Sequence, residues 1–136
     1  MKTLLVFYSY TGNTEALAKT LAAVESADAT EIKDVVRPGK LKAYFSGCFA
    51  AIRGKAWPIK YLDTDLSAYD RIILMSPVWA GNPPPAVNTF LARLPEGKSI
   101  FVKMVSGSGH SSCRERIEIT VKARGSSLDD FEDIKA

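Results

Sequence analysis

The chain has 136 residues, 46% hydrophobic and 24% charged, with a formal net charge of +3. These are the proportions of one globular domain with a real core, expected to span residues 1–136. No apolar run approaches the roughly 20 residues that cross a bilayer, and residues 4–8 are too short for the core of a signal peptide, so a cytoplasmic protein with no membrane partner is expected.

The first stretch, residues 3–8 (Thr-Leu-Leu-Val-Phe-Tyr), is an apolar run that predicts a strand buried on both faces. A small polar loop follows: Ser9, Tyr10, Thr11, Gly12, Asn13 and Thr14. Leu17, Leu21 and Val24 then fall at the spacing of one helix face. Strand, polar loop and helix N-terminus make an anion site, because first-turn N–H groups are unpaired and the helix dipole favours negative charge. Gly12 permits a positive φ and a close backbone approach. The loop has no Lys, so it is not the G-x-x-x-x-G-K-[ST] loop that grips a nucleoside triphosphate. It has one Gly, so it is not the G-x-G-x-x-G dinucleotide turn. The hydroxyls of Ser9, Thr11 and Thr14 suit one terminal phosphate monoester; the plainer alternative is a Ser/Thr-rich turn that caps a helix.

Residues 29–32 predict a short second strand, and Pro38-Gly39 a break. Leu41, Phe45, Cys48 and Ile52 recur at helical spacing, which predicts a helix with Cys48 on its buried face. Cys48 and Arg53 have one residue too few between them for a phosphatase loop and lie inside this helix. Between Asp34 and Asp63 there is no acid, while Arg37, Lys40, Lys42, Arg53, Lys55 and Lys60 are all basic. This is either a solvated face or a docking face for an acidic partner. No recognition motif for nucleic acid accompanies it, so no such partner is expected. Gly54 ends the helix, and Trp57 is expected to cover the core edge.

Residues 71–75 predict the third strand. Val87, Phe90, Leu91 and Leu94 predict a helix that starts near Pro85. Residues 99–105 predict the fourth strand. Cys113, Ile117 and Val121 fit a helix; Ile117, Ile119 and Val121 also fit a strand, but Arg114-Glu115-Arg116 and the alternating architecture favour helix. Phe131 and Ile134 predict a short fifth strand at the sheet edge, with no residues left for a helix after it. The alternation predicts a three-layer, doubly wound α/β fold on a five-stranded parallel sheet. Cys48 and Cys113 have no partners at metal-ligand spacing, so free thiols and no metal site are expected.

In such a sheet, ligands bind beyond the carboxyl ends of the strands. The loop after the third strand contains Pro77, Val78, Trp79, Ala80, Gly81 and Asn82, then a proline run. The loop after the fourth contains Ser106, Gly107, Ser108 and Gly109, then His110. One offers a flat aromatic, the other exposed backbone. A planar ring lies well between them, with one face on Trp79.

Together, the loop at 9–14, the Ser76-Pro77-Val78-Trp79-Ala80-Gly81 segment and the Ser106-Gly107-Ser108-Gly109 segment resemble the three cofactor loops of the flavodoxin family, in the right order over roughly residues 1–125. The resemblance implies strand order 2-1-3-4-5, without the family's last helix, and non-covalent FMN held by residues 9–14, 77–82 and 106–109. It implies electron transport through the flavin, with protein groups tuning the cofactor rather than acting as acids or bases. The backbone at Ala80-Gly81 is implied to lie near the flavin N5, where a small residue permits a peptide flip.

Two departures stand out. Electron-carrier flavodoxins are acidic and place an aromatic, usually Tyr, in the loop after the fourth strand; this chain is basic and has His110 there. His110 is expected either to stack on the ring, tuning it with pH, or to be an exposed loop residue. The sheet face left by the missing helix is expected to be covered by a second subunit, as a homodimer. Electron carrier to acidic redox partner proteins is the leading reading. The alternative is an oxidoreductase: a small NAD(P)H-dependent FMN or quinone reductase on the same fold. A receiver-like signalling domain needs a carboxylate cluster after the first strand, and residues 9–14 contain none.

Overall fold

The computed structural model describes residues 2–136. Five strands, β1 (Thr3–Phe7), β2 (Asp28–Glu31), β3 (Arg71–Pro77), β4 (Ser99–Ser106) and β5 (Ser127–Lys135), form one sheet in the order β2-β1-β3-β4-β5, every pair parallel. The expected architecture and strand order are thus present, and β5 is a full nine-residue edge strand rather than a short one. Four helices connect the strands among the described residues, α1 (Asn13–Glu25), a composite α2, α3 (Pro85–Leu91) and α4 (Arg114–Ala123), with a short 3-10 turn at Leu66–Ala68 before β3. α2 comprises Lys40–Lys42, a π turn at Ala43–Gly47, and Cys48–Ile52. The ambiguous 113–121 segment is helical, with Cys113, Ile117 and Val121 buried as the helical spacing requires.

The central strands are buried on both faces. Leu4, Val6, Ile72, Leu74, Ile100, Val102 and Met104 join Val87, Phe90 and Leu91 of α3 and Ile117 and Val121 of α4 in the larger core. Leu5, Phe7, Ile73, Met75 and Val105 join Ala18 and Ala22 of α1 in the smaller one. On α1 the inward residues are Thr14, Ala18 and Ala22, with Leu17 and Leu21 half-buried beside them. Val24 is 76% exposed, which corrects its expected place on the buried face. Small side chains let the helix backbone sit close to the sheet, so Val24, a turn further on, falls outside the contact.

Beside α1 this sheet face turns polar. Arg71 pairs with Glu25 at 2.9 Å and lies over Phe101, and Lys103 pairs with Glu132 at 3.4 Å. Phe101 and Ile134 are half-buried. The large exposed apolar side chains lie elsewhere, chiefly on α2.

The expected buried stripe of α2 faces outward. Leu41, Phe45 and Ile52 are exposed and Cys48 is only half-buried, while Ala43, Gly47, Ala50 and Ala51 are buried. A Cβ on Gly47 would stand 2.6 Å from Trp79 Cζ3. The helix seats on an indole plate at a separation that only small residues allow, so the bulky residues are turned to solvent. Arg116 of α4 holds the end of α2, its guanidinium donating to the carbonyls of Ala51 and Ile52 at 3.0 and 2.9 Å. Trp57 packs half-buried at the same junction, as expected of a core-edge cover. Both cysteines are free thiols; Cys113 is fully buried, and burial pushes both thiols above their ordinary value.

Candidate functional site

Three loops meet beyond the carboxyl ends of β1, β3 and β4. The first turns sharply at Gly12, whose φ of +101° only glycine adopts without strain, and nothing lies within 4 Å of where its Cβ would be. α1 begins at Asn13, and no side chain caps it. Its first-turn N–H groups have no intrahelical partner and open onto the space above Gly12. Ser9 Oγ accepts from the Gly12 N–H at 3.1 Å, which fixes the turn and leaves the Ser9 hydroxyl proton free to donate. Thr11, Gly12 and Asn13 are exposed, and Thr14 is buried under the first turn. An open, uncapped, positively polarised turn of this kind favours an anion.

Tyr10 plays a supporting part. Its hydroxyl donates to the Pro38 carbonyl at 2.7 Å, and its own carbonyl accepts from Arg37 Nη2 at 2.6 Å. The Arg37 guanidinium also lies 4.6 Å from the Tyr10 ring centroid. Arg37 therefore braces the first loop and puts a cation beside it. The sequence marked Arg37 only as one of six basic residues; no spacing rule links it to a loop 27 positions earlier.

The second loop is a tight turn at residues 79–82. Trp79 and Asn82 exchange both backbone hydrogen bonds, at 2.7 and 3.0 Å. Ala80 and Gly81 both have positive φ, +51° and +82°, the signature of a type I′ turn. Gly81 takes this at no cost; Ala80 stores strain there. The buried Asn82 side chain donates to the Ala80 carbonyl at 3.0 Å and holds the strained peptide in place. Pro77 ends β3, and Val78 and Trp79 are half-buried. The indole of Trp79 is clasped edge-on by Tyr8 and Tyr10, with centroids 6.0 and 5.8 Å away, and its benzo edge rests on Gly47. These contacts tie the first loop to the second.

The third loop is tied to the second through Ser112, whose N–H and hydroxyl both donate to the Gly81 carbonyl, at 2.8 and 3.2 Å. Within it, Ser106 Oγ accepts from the Gly109 N–H at 3.0 Å and Ser108 Oγ from the His110 N–H at 3.2 Å. Gly107 and Ser108 are exposed, and a Cβ on Gly107 would meet nothing within 4 Å. His110 is exposed. Ser111 Oγ donates to Asp133 of β5 at 2.6 Å, which anchors the loop to the sheet edge.

One part-buried polar pair has no signature in the sequence. Tyr8 Oη donates to Asp34 Oδ2 at 2.6 Å, and Asp34 Oδ1 is buried without a partner. Burial pushes the Tyr8 hydroxyl far above its usual range, and the Asp34 carboxylate beside it adds to the rise. Burial also raises Asp34, against the opposing pull of the Tyr8 hydrogen bond and of Arg37. Tyr8 therefore stays a protonated donor, and the pair orients the ring that clasps Trp79. A cleft of about 240 Å³ lies beside the pair, bounded by Ser9, Tyr10, Arg37 and Lys60. Among the described residues no cluster of His, Cys, Asp and Glu is arranged to hold a metal.

No family model and no curated protein sequence matches the chain. Solved structures do. A flavoprotein from Lactobacillus acidophilus in complex with FMN is 22% identical, with a TM-score of 0.74 over 96% of this chain and 91% of that one. Oxidised flavodoxin 1 from Bacillus cereus is 20% identical, with a TM-score of 0.58 over 100% and 86%. Oxidised flavodoxin 2 from the same organism is 21% identical, with a TM-score of 0.58 over 99% and 84%. Sheet order, helix placement and these likenesses agree: the chain has the flavodoxin-like fold.

Proposed function

We propose that the chain binds FMN non-covalently between these three loops and carries electrons through it to redox partner proteins. The observation that supports this most is the uncapped first turn of α1, with left-handed Gly12 under open space. It fits one phosphate monoester and lacks the Lys of a triphosphate loop. In this reading Ser9, Thr11, Gly12, Asn13 and Thr14 hold the phosphate and Tyr10 braces their loop. Pro77, Val78 and Trp79 form one wall, and Ala80, Gly81 and Asn82 bring backbone to the ring edge. Ser106, Gly107, Ser108 and Gly109 line the other wall. FMN supplies the redox chemistry when bound. The protein's part is to position it and to present, at the strained Ala80-Gly81 turn, a backbone whose hydrogen bonding can change with the charge on the ring.

Titration with FMN and with riboflavin, which lacks the phosphate, tests the reading. FMN is expected to bind roughly 100-fold or more tightly than riboflavin, since two charge-assisted hydrogen bonds suffice for that difference. Gly12→Val is expected to erase most of the gap by straining the turn. Equal affinity for the two ligands, or no flavin binding, would sink the proposal. Stepwise reduction of the loaded protein then separates carrier from reductase. Two resolved one-electron steps support a carrier. A single two-electron step with steady NADPH turnover on a quinone favours the reductase, for which the open Gly107 side of the site leaves room.

A further inference from the structure

We propose that the outward face of α2 docks this protein on an anionic lipid bilayer. The face carries Leu41, Tyr44, Phe45, Phe49 and Ile52, which are 75, 72, 64, 60 and 50% exposed. They run along one side of the helix, opposite buried Ala43, Gly47, Ala50 and Ala51. The helix has no rotation that hides them, because a side chain at the Gly47 position meets the Trp79 ring. A continuous stripe of aromatic and aliphatic side chains is rare on a soluble surface without a partner.

The charge around the stripe selects that partner. Lys40, Lys42, Arg53 and Lys55 flank it, within a stretch that has no acid from Val35 to Leu62. None of these four cations forms an ion pair among the described residues. Lys42 Nζ lies 5.5 Å from the Trp57 ring centroid and the Arg53 guanidinium 4.8 Å from the Phe49 ring centroid, so both charges sit directly at the edge of the apolar surface. A large apolar stripe with a purely cationic border is the pattern of a helix that lies in the plane of an anionic membrane surface.

Two other occupants fit less well. A second copy would bring two cationic borders together with no acid to offset them. An acidic protein would meet a border of mostly Lys, without the alternating charges that set register in a specific interface. The expectation of no membrane partner rested on the absence of a spanning segment. That absence holds, since no helix among the described residues is long and apolar enough to cross a bilayer; a helix lying on the surface needs no such length.

The test is co-sedimentation of the full chain with vesicles of phosphatidylglycerol mixed with phosphatidylcholine, and with vesicles of phosphatidylcholine alone. Binding is expected to the anionic vesicles only and to weaken as salt rises. Phe45→Ser with Phe49→Ser is expected to lower partitioning roughly tenfold or more, and Lys40→Glu with Lys55→Glu to do the same. Lys19→Glu with Lys122→Glu makes an equal charge change on other helices and is expected to leave binding within about twofold. All substituted side chains are exposed, so matched melting temperatures keep the comparison at constant fold. No binding to anionic vesicles overturns the proposal, as does equal loss in the control pair, which would mean attraction by overall charge. Concentration-dependent self-association abolished by the Phe45 and Phe49 changes also overturns it, in favour of a second copy. None of these readouts depends on flavin.

Discussion

α2 and α3 carry nearly the same sequence pattern and face opposite ways. In α3, Val87, Phe90 and Leu91, with Leu94 just beyond, recur at helical spacing and all four are buried against the sheet. In α2, Leu41, Phe45 and Ile52 recur just as regularly and are exposed. The difference lies in what each helix meets. α3 lies on the branched aliphatic surface of β3 and β4 and needs large side chains to fill the space. α2 lies with Gly47 on the Trp79 ring, already clasped by Tyr8 and Tyr10, where even a Cβ would stand 2.6 Å from the indole. Periodicity shows that a helix has two faces; the surface beneath it decides which one is turned in.

The strongest way to break this comparison is to truncate the side chain that α3 buries. Phe90→Ala is expected to destabilise the fold by about 3–5 kcal/mol, from lost burial plus a cavity, read as a shift in urea midpoint at constant slope. A loss under about 1 kcal/mol would mean that α3 does not depend on that face. Gly47→Ala tests the opposite side of the argument. The added methyl would press on a ring that cannot withdraw, and a cost of about 1–3 kcal/mol is expected. A neutral or stabilising result, as helix propensity alone predicts, would show that α2 is loosely seated.

Asp34 precedes α2 and anchors Tyr8 against the same indole. Its carboxyl is raised in the folded state, chiefly by burial. The folded protein therefore binds that proton more tightly than the unfolded chain does. Stability is then lost as pH rises from the ordinary carboxylate value through the raised one. Asp34→Asn keeps an acceptor for Tyr8 and removes that slope. The variant is expected to gain on the parent across this window and to hold the gain above it, measured by denaturation at a series of pH values. A constant difference at all pH values would refute the raised carboxyl. The smallest effect is expected for Phe45→Ser, which should change stability by no more than about 0.5 kcal/mol because the ring is exposed. A loss comparable to that of Phe90→Ala would overturn the outward assignment of the stripe.

Much of the site was legible in the sequence because each loop speaks locally. A lone Gly among hydroxyls after an apolar strand predicts a tight left-handed turn into a helix, and Gly12 has the positive φ this requires. At Ala80-Gly81 the small residues are legible as a turn, but the positive φ at both and the Asn82 amide on the Ala80 carbonyl are features of the folded loop. The bracing pair of Tyr8 and Asp34, and Arg37 on Tyr10, were not legible, because they join residues 26 and 27 positions apart through the end of β2.

By itself, the sequence determined the alternation of strands and helices, the parallel sheet and the three loops at its carboxyl edge. Those follow from apolar periodicity, helix-start chemistry and turn residues, which act over a few positions. Tertiary structure alone decided the outward rotation of α2, the exposure of Val24 and the pairing of Tyr8 with Asp34. Each of these depends on how closely two elements approach. That distance is set by side chains far apart in the chain, and no pattern within either element records it.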